Sequence, residues 1–218
     1  MAEGFYVQTG KRCFDLAVGT VAFVLLLIPQ LFVALLVLLF LGRPVLFRQR
    51  RSGRLGQSFT LLKFRSMNDR RDATGKLLPD SIRLTRLGRF LRSTSLDELP
   101  ALWNVLRGDL SLIGPRPLPI EYTPLYDTTQ RRRLDLRPGM AGYAALFGRN
   151  AQSWESIFAH DVWYVEHVSL LLDLKIILGI LRVVVSREGI DRGDHSNSSE
   201  FQQRIDAASR EGSYVYRA

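Results

Sequence analysis

A mixed α/β fold with an N-terminal membrane-inserted segment is predicted by three features of the sequence. Residues 14–41 form an almost unbroken apolar run, residues 43–67 show the alternation and turn glycines of a short strand pair, and residues 92–106 carry a helix start followed by apolar residues at helical spacing. At 218 residues, 46% hydrophobic and 23% charged, the chain can bury one sizeable core, so one domain beside a membrane segment is expected. The expected divisions are residues 1–42 for the membrane segment, 43–190 for a cytoplasmic domain, and 191–218 for a polar tail. The Asp, Ser, Asn and Arg content of that tail offers little apolar surface to bury.

The apolar run is interrupted only by Asp15, Gly19, Thr20, Pro29 and Gln30. It is too long for the core of a secretory signal, which spans roughly 7 to 15 residues. As one straight helix at about 1.5 Å per residue it would reach roughly 40 Å, more than the ~30 Å hydrocarbon core requires. Pro29 lies near its middle and removes a backbone donor, so a kink or break of the membrane helix is expected there. Lys11 and Arg12 precede the run, and Arg43, Arg48, Arg50, Arg51 and Arg54 follow it. Because basic flanks prefer the cytoplasm, a re-entrant helix with both ends on that side is one reading; a tilted span kinked at Pro29 is the other.

Thirty Lys and Arg against 21 Asp and Glu give a formal charge of +9, which favours a partner bearing phosphates: a nucleotide, an anionic lipid surface or nucleic acid. The single cysteine, Cys13, excludes an intramolecular disulfide framework, and His160, His167 and His195 stand in no metal-binding spacing. In residues 43–67, Gly53 and Gly56 supply the turn between strands; with Arg51 they fit either a plain hairpin turn or a backbone cradle for phosphate. Lys63 and Arg65 follow as a basic pair.

Arg92-Ser93-Thr94-Ser95-Leu96-Asp97-Glu98-Leu99-Pro100 is the most informative stretch. Ser95 with Glu98, or Thr94 with Asp97, matches a capping box, and that structural role competes with a chemical one. A carboxylate at a helix start is favoured as the anion, and an ionised Asp97 can attack phosphorus to form an acyl phosphate. Glu98 suits Mg²⁺, which takes one or two carboxylates and leaves its other positions to phosphate oxygens and water. Further on, Gly114-Pro115-Arg116-Pro117 holds a guanidinium between two prolines, as bidentate phosphate recognition requires. Arg137-Pro138-Gly139 and Gly148-Arg149-Asn150 are two more basic turns. Trp154, Phe158, Trp163 and Tyr164 read as core or interface aromatics, with base stacking open to one of them. Residues 168–185 are apolar but interrupted by Asp173, Lys175 and Arg182, so a helix on the membrane surface or packed on the domain is expected rather than a second span.

In this order the motifs resemble the monotopic phosphoglycosyl transferases, the bacterial sugar transferase family of polyprenyl-phosphate phosphoglycosyl transferases. The resemblance covers roughly residues 11–187. Its most specific pieces are Lys63-Phe64-Arg65-Ser66-Met67, Leu96-Asp97-Glu98-Leu99-Pro100, Trp103-Asn104-Val105-Leu106-Arg107-Gly108-Asp109 and Gly114-Pro115-Arg116-Pro117-Leu118. It implies a re-entrant membrane helix broken at Pro29, a small cytoplasmic α/β catalytic domain and amphipathic membrane-interface helices. It also implies transfer of a sugar-1-phosphate from a UDP-sugar to polyprenyl (undecaprenyl) phosphate through a phosphosugar-Asp97 intermediate, with release of UMP. Such transfer initiates membrane glycoconjugate or exopolysaccharide synthesis at the cytoplasmic face of the bacterial inner membrane, among its lipids. The catalytic pair carried over is Asp97 and Glu98, with Glu98 helping to bind Mg²⁺; Lys63, Arg65, Arg92, Arg116 and Arg137 are the phosphate-binding candidates. The chain departs from the family pattern at Ile28, where Ser commonly precedes the proline, and at Ala141, Tyr143 and Ala145, where Thr, Trp and Gln are frequent. The short N-terminus implies a minimal form without extra spanning helices.

Two other classes fit parts of the sequence: a membrane-anchored nucleic-acid-binding module and a non-catalytic membrane scaffold. The basic residues are scattered among Gly and Pro turns rather than gathered in a recognised binding motif, so no nucleic-acid partner is expected. The intact Asp97-Glu98 pair argues against the scaffold. The transferred sugar and the oligomeric state, a homo-oligomer included, are left open by the sequence.

Overall fold

The apolar N-terminal run is two helices rather than one. In this computed structural model, which describes residues 4–148 and 152–186, α1 (Lys11–Leu25) and α2 (Leu27–Leu41) meet at Leu26 with a bend of 58°. Pro29 explains the position of the bend. It has no N–H to offer the Leu25 carbonyl one turn back, and its ring crowds that carbonyl, whereas Gln30 still donates to the Leu26 carbonyl at 2.8 Å. Among the described residues no single helix is long and apolar enough to cross a membrane; the bent pair meets that test of length and composition together.

The bent pair has two distinct faces. Lys11, Asp15 and Gly19 on α1, and Gln30, Val33 and Val37 on α2, are buried at helical spacing. On the other side Val24, Leu25, Ile28, Leu31, Leu39 and Phe40 are each more than 60% exposed, an apolar surface far larger than a water-facing helix carries. Polar contacts tie the inner face to the rest of the chain. The α1 carboxylate of Asp15 accepts from Ser111 Oγ and the Leu112 N–H, both at 3.0 Å.

After α2 the chain forms an antiparallel hairpin, β1 (Leu46–Ser52) with β2 (Ser58–Phe64), in the register Leu46↔Phe64 to Ser52↔Ser58. Its tip turns at Gly53 and Gly56, as the glycines predict, and Gly56 takes a left-handed φ of 77°. Two short helices follow, α3 (Asp80–Arg83) and α4 (Arg86–Ser93), the second capped by Thr85, whose hydroxyl accepts from the Gly88 N–H at 3.0 Å. Next comes α5 (Ala101–Arg107), which runs against α1; Arg12 donates to the Val105 and Leu106 carbonyls at 2.6 and 2.8 Å and so satisfies the end of α5.

A second two-stranded sheet is parallel, β3 (Ser111–Ile113) beside β4 (Gly139–Ala141), with α6 (Thr128–Arg131) in the connection. Gly114 and Gly139 allow the strand ends to touch: a Cβ on Gly139 would lie 2.1 Å from the Gly114 nitrogen. That contact fixes the base of the Gly114-Pro115-Arg116-Pro117 loop, and the Gly139 N–H donates to the Pro115 carbonyl at 2.9 Å.

Last are α7 (Trp154–His167) and α8 (Leu170–Ser186). Trp154, Phe158 and Tyr164 are buried, so those aromatics are core, while Trp163 is 38% exposed and stacks on Tyr143 at 4.6 Å between ring centres. In α8, Asp173 and Ile176 face inward and Leu171, Leu174, Leu178 and Leu181 face out, so the charge-interrupted run packs on the domain through one face and leaves the other exposed. Asp173 is held by Lys11 Nζ and Tyr6 Oη, each at 2.6 Å, and by Tyr164 Oη at 2.5 Å, which joins the start of α1 to α8. The expected polar tail, residues 191–218, and Arg149 and Asn150 lie outside the described residues.

One buried ion pair fixes the loop region around Arg116. Arg133, 1% exposed at its side chain, donates to Asp161 Oδ2 at 2.6 and 3.1 Å, to Tyr126 Oη at 3.1 Å and to the Arg116 carbonyl at 2.8 Å. Truncation would strand Asp161 as a buried charge. Arg133→Ala is therefore expected to cost about 3–5 kcal/mol of stability, measured by chemical unfolding of the solubilised protein; a loss under ~1 kcal/mol would contradict this.

Candidate active site

The acidic pair sits in a turn rather than at the helix start predicted for Ser95. Helix α4 ends at Ser93, Ser95 adopts a left-handed φ of 57° without a side-chain cap bond, residues Leu96–Glu98 form one 3-10 turn, and α5 begins only at Ala101. The capping box expected at Ser95 and Glu98 is not formed; Asp127 and Gln130 form one at α6 instead. A left-handed serine costs roughly 1–2 kcal/mol, and the flanking leucines explain why it is held. Leu96 and Leu99 pack against Val33, Val37, Phe64 and Leu91, so the turn is anchored to α2, β2 and α4.

Four elements bring cations to the acids. Lys63 comes from the end of β2, Arg92 from α4, Arg116 from the proline-flanked loop, and Arg51 from β1. Glu98 Oε1 accepts from Lys63 Nζ at 2.7 Å and from Arg116 Nη2 at 2.8 Å. These residues line a cleft with Arg51, Pro117 and Met140. Asp97 is 7% exposed and lies within electrostatic reach of Lys63, Arg92 and Arg116.

The two neighbouring carboxylates are pushed in opposite directions. Burial raises the Asp97 carboxyl above the usual range and Glu98 adds to the rise, with Lys63, Arg92 and Arg116 opposing. For Glu98 burial also acts upward, but Arg116 and Lys63 outweigh it and hold the carboxyl far below the usual range. Lys63 in turn is drawn down by burial against the pull of Glu98. Paired groups with diverging proton affinities have separable roles. Glu98 is a fixed anion that organises two cations; Asp97 is the more basic carboxylate and has the greater intrinsic tendency to form a new bond.

Among the described residues no group of three His, Cys, Asp or Glu side chains could hold a metal ion. The donor set nevertheless fits a hard cation shared with a substrate. Both hydrogen bonds to Glu98 fall on Oε1, leaving Oε2 for an ion whose other positions are filled by phosphate oxygens and water.

The remaining sequence candidates are distributed elsewhere. Arg65 is 8% exposed, and its guanidinium donates to the Leu41 and Gly42 carbonyls at the end of α2 and to Asp69 at 3.4 Å. Arg92 Nε donates to Ser66 Oγ at 3.1 Å. Arg137 donates to the Gly108 carbonyl at 3.0 Å and lines a separate cleft with Arg54, Gln57 and Asp109. Of the histidines, His160 bonds Gln152 and His167 bonds the Trp163 carbonyl, and His195 is outside the described residues. Arg51 enters the cleft as a side chain and not as part of a glycine cradle. Its placement depends on an isolated bridge between Arg51 and Pro119, a long-range pairing that local spacing does not reveal.

Comparison with known proteins matches residues 6–187 to the bacterial sugar transferase family. The chain belongs to that family. An uncharacterized sugar transferase of Bacillus subtilis is 48% identical over 199 residues, covering 91% of this chain and 98% of the relative. The UDP-glucose:undecaprenyl-phosphate glucose-1-phosphate transferase of Caulobacter vibrioides is 37% identical over 182 residues, covering 79% of this chain and 68% of that protein. The undecaprenyl-phosphate galactose phosphotransferase of Salmonella typhimurium is 37% identical over 165 residues, covering 68% of this chain. The match spans only 35% of the Salmonella protein, so this sugar transferase corresponds to about a third of that relative's length.

Proposed function

We propose that this sugar transferase moves a sugar-1-phosphate from a UDP-sugar to polyprenyl phosphate, releasing UMP, at the cytoplasmic face of a bacterial inner membrane. The observation that carries the reading is the acidic pair beside a cationic cleft: Glu98, held by Lys63 at 2.7 Å and Arg116 at 2.8 Å, next to the buried Asp97. The names of the Caulobacter and Salmonella relatives support the substrate classes. In this reading residues 1–42 form a re-entrant membrane element, residues 43–190 the cytoplasmic catalytic part, and residues 191–218 a polar tail.

The reaction runs in two displacements. An Asp97 carboxylate oxygen bonds to the sugar-bearing phosphorus as the bond from that phosphorus to the bridging oxygen breaks, and the bridging oxygen leaves with UMP. A phosphate oxygen of the polyprenyl phosphate then attacks the same phosphorus, the acyl-phosphate bond breaks, and the carboxylate is restored. Lys63 and Arg116 orient Glu98 and face the diphosphate with positive charge. Mg²⁺ bound through Glu98 would supply charge neutralisation on the diphosphate. The bent α1–α2 pair would lie in the lipid with its exposed apolar face, holding the cleft at the surface where the acceptor's phosphate resides.

Purified protein incubated with a panel of UDP-sugars and polyprenyl phosphate should release UMP and yield a lipid-linked sugar diphosphate with at least one donor. Absence of both products across the panel would defeat the reading. Arg116→Lys is expected to lower kcat/KM by about 10-fold or more although charge is retained, because an ammonium cannot reproduce the planar fork. Steady-state kinetics near wild type would assign Arg116 a purely structural part.

Topology supplies another check. With Cys13 replaced by Ser, single cysteines at Gly4 and Arg48, both exposed, should be labelled only from the cytoplasmic side in oriented vesicles. Labelling of position 4 from the periplasmic side alone would require a full span.

A further inference from the structure

Arg51 lines the same cleft as Lys63, Glu98 and Arg116, and the two hydrogen bonds to Glu98 come from Lys63 and Arg116 rather than from Arg51. Its Nη2 donates to Gln49 Oε1 at 2.6 Å and its Nη1 to the Pro117 carbonyl at 3.2 Å, while the Nε is buried with no hydrogen-bond partner. The strand is well anchored there: the Ser52 N–H donates to the Leu118 carbonyl at 3.0 Å, and Arg51 bridges Pro119. Burial, and after it the neighbouring Arg116, lower the Arg51 guanidinium to about 10, which leaves it charged at neutral pH.

The charges fall in an order along the cleft. Glu98, the neighbour of Asp97, accepts from Arg116 at 2.8 Å, and Arg51 donates to the carbonyl of Pro117, the residue after Arg116, at 3.2 Å. From the acids outward the cleft therefore presents Arg116 and then Arg51. If Asp97 takes the sugar-bearing phosphorus, the second phosphate of the diphosphate extends toward Arg116 and Arg51.

We propose that Arg51 is a binding residue for the nucleotide-side phosphate of the donor, and that it holds this phosphate as it becomes the leaving monophosphate. The assignment rests on the transferase reading above. When the bond to the bridging oxygen breaks, negative charge grows on the departing phosphate, and a preplaced guanidinium in a partly desolvated cleft stabilises that charge without reorganising.

The test compares UMP with uridine as inhibitors of wild type, Arg51→Gln and Arg51→Lys in detergent micelles, each variant first shown to unfold cooperatively. Arg51→Gln is expected to weaken UMP inhibition by about 10-fold or more while leaving uridine unchanged, the loss of one charge-assisted phosphate contact. Arg51→Lys should lie between. In single-turnover experiments the step releasing UMP should slow, and transfer from preformed adduct to acceptor should stay at the wild-type rate. Equal losses for UMP and uridine, or slowing of both half-reactions alike, would show that Arg51 only supports the loop at 115–119 and would overturn the proposal. Unchanged UMP inhibition would do the same. Should Arg51→Gln fail to fold, Arg51→Lys decides by the same UMP-to-uridine ratio. A wild type that transfers sugar phosphate without any adduct would refute the covalent reading, yet the inhibitor comparison would still judge Arg51.

Discussion

Asp97→Asn is expected to lower sugar-phosphate transfer by about ten-thousand-fold or more, since an amide keeps the shape of the carboxylate but cannot serve as the nucleophile. The fold should not suffer. Because the folded-state proton affinity of Asp97 is raised, the ionised carboxylate is a burden on the native state at neutral pH: its contribution is favourable below the ordinary aspartate range and is lost as pH rises through the raised value. The neutral amide removes that burden, so the unfolding midpoint of the variant at pH 7 should equal or exceed that of wild type. Transfer within tenfold of wild type would remove Asp97 from the chemistry. A large fall in unfolding midpoint would mean that lost activity reflects a damaged fold.

Glu98→Gln is the second large effect. The amide oxygen can still accept hydrogen bonds but carries no charge, so Lys63 and Arg116 lose the anion that holds them together at 2.7 and 2.8 Å. A fall in rate of about 100-fold or more is expected, together with a requirement for more Mg²⁺ to reach half-maximal rate. A direction can also be assigned to the pH profile. Glu98 is one of the causes that raise the Asp97 carboxyl, and Lys63 and Arg116, which lower it, are released from Glu98 in the variant. All of these changes move Asp97 downward, so the acid limb of the rate profile should shift to lower pH. An acid limb that moves upward, or full turnover in chelator, would contradict the assigned role.

Much of the candidate site was legible because its residues lie in local motifs. Asp97 and Glu98 are adjacent, Arg116 is fixed by its own prolines, and Pro29 announces the bend three residues upstream at Leu26. What the sequence misassigned was the local conformation of the acidic pair. The pattern Ser95 to Glu98 satisfies a capping box on paper, yet burial of Leu96 and Leu99 against α2 and α4 overrides that preference and puts Ser95 into a left-handed turn. Long-range placement was equally out of reach. Arg51 reads as part of a glycine turn until β1 pairs with Pro119, and Arg65, in the same motif as Lys63, turns the other way to the carbonyls ending α2. Strand alternation explains the last case, because residues two apart on β2 share a face only while the strand lasts, and it ends at Phe64.

The covalent intermediate on Asp97 is the most direct test of the whole account. Intact-protein mass spectrometry after rapid quench of the solubilised enzyme with a UDP-sugar and no acceptor should show a mass gain of one sugar phosphate on wild type. The gain should be absent in Asp97→Asn and should disappear from wild type when polyprenyl phosphate is added. Turnover of the full reaction by wild type with no such adduct at any quench time would contradict the account and require direct transfer within a ternary complex.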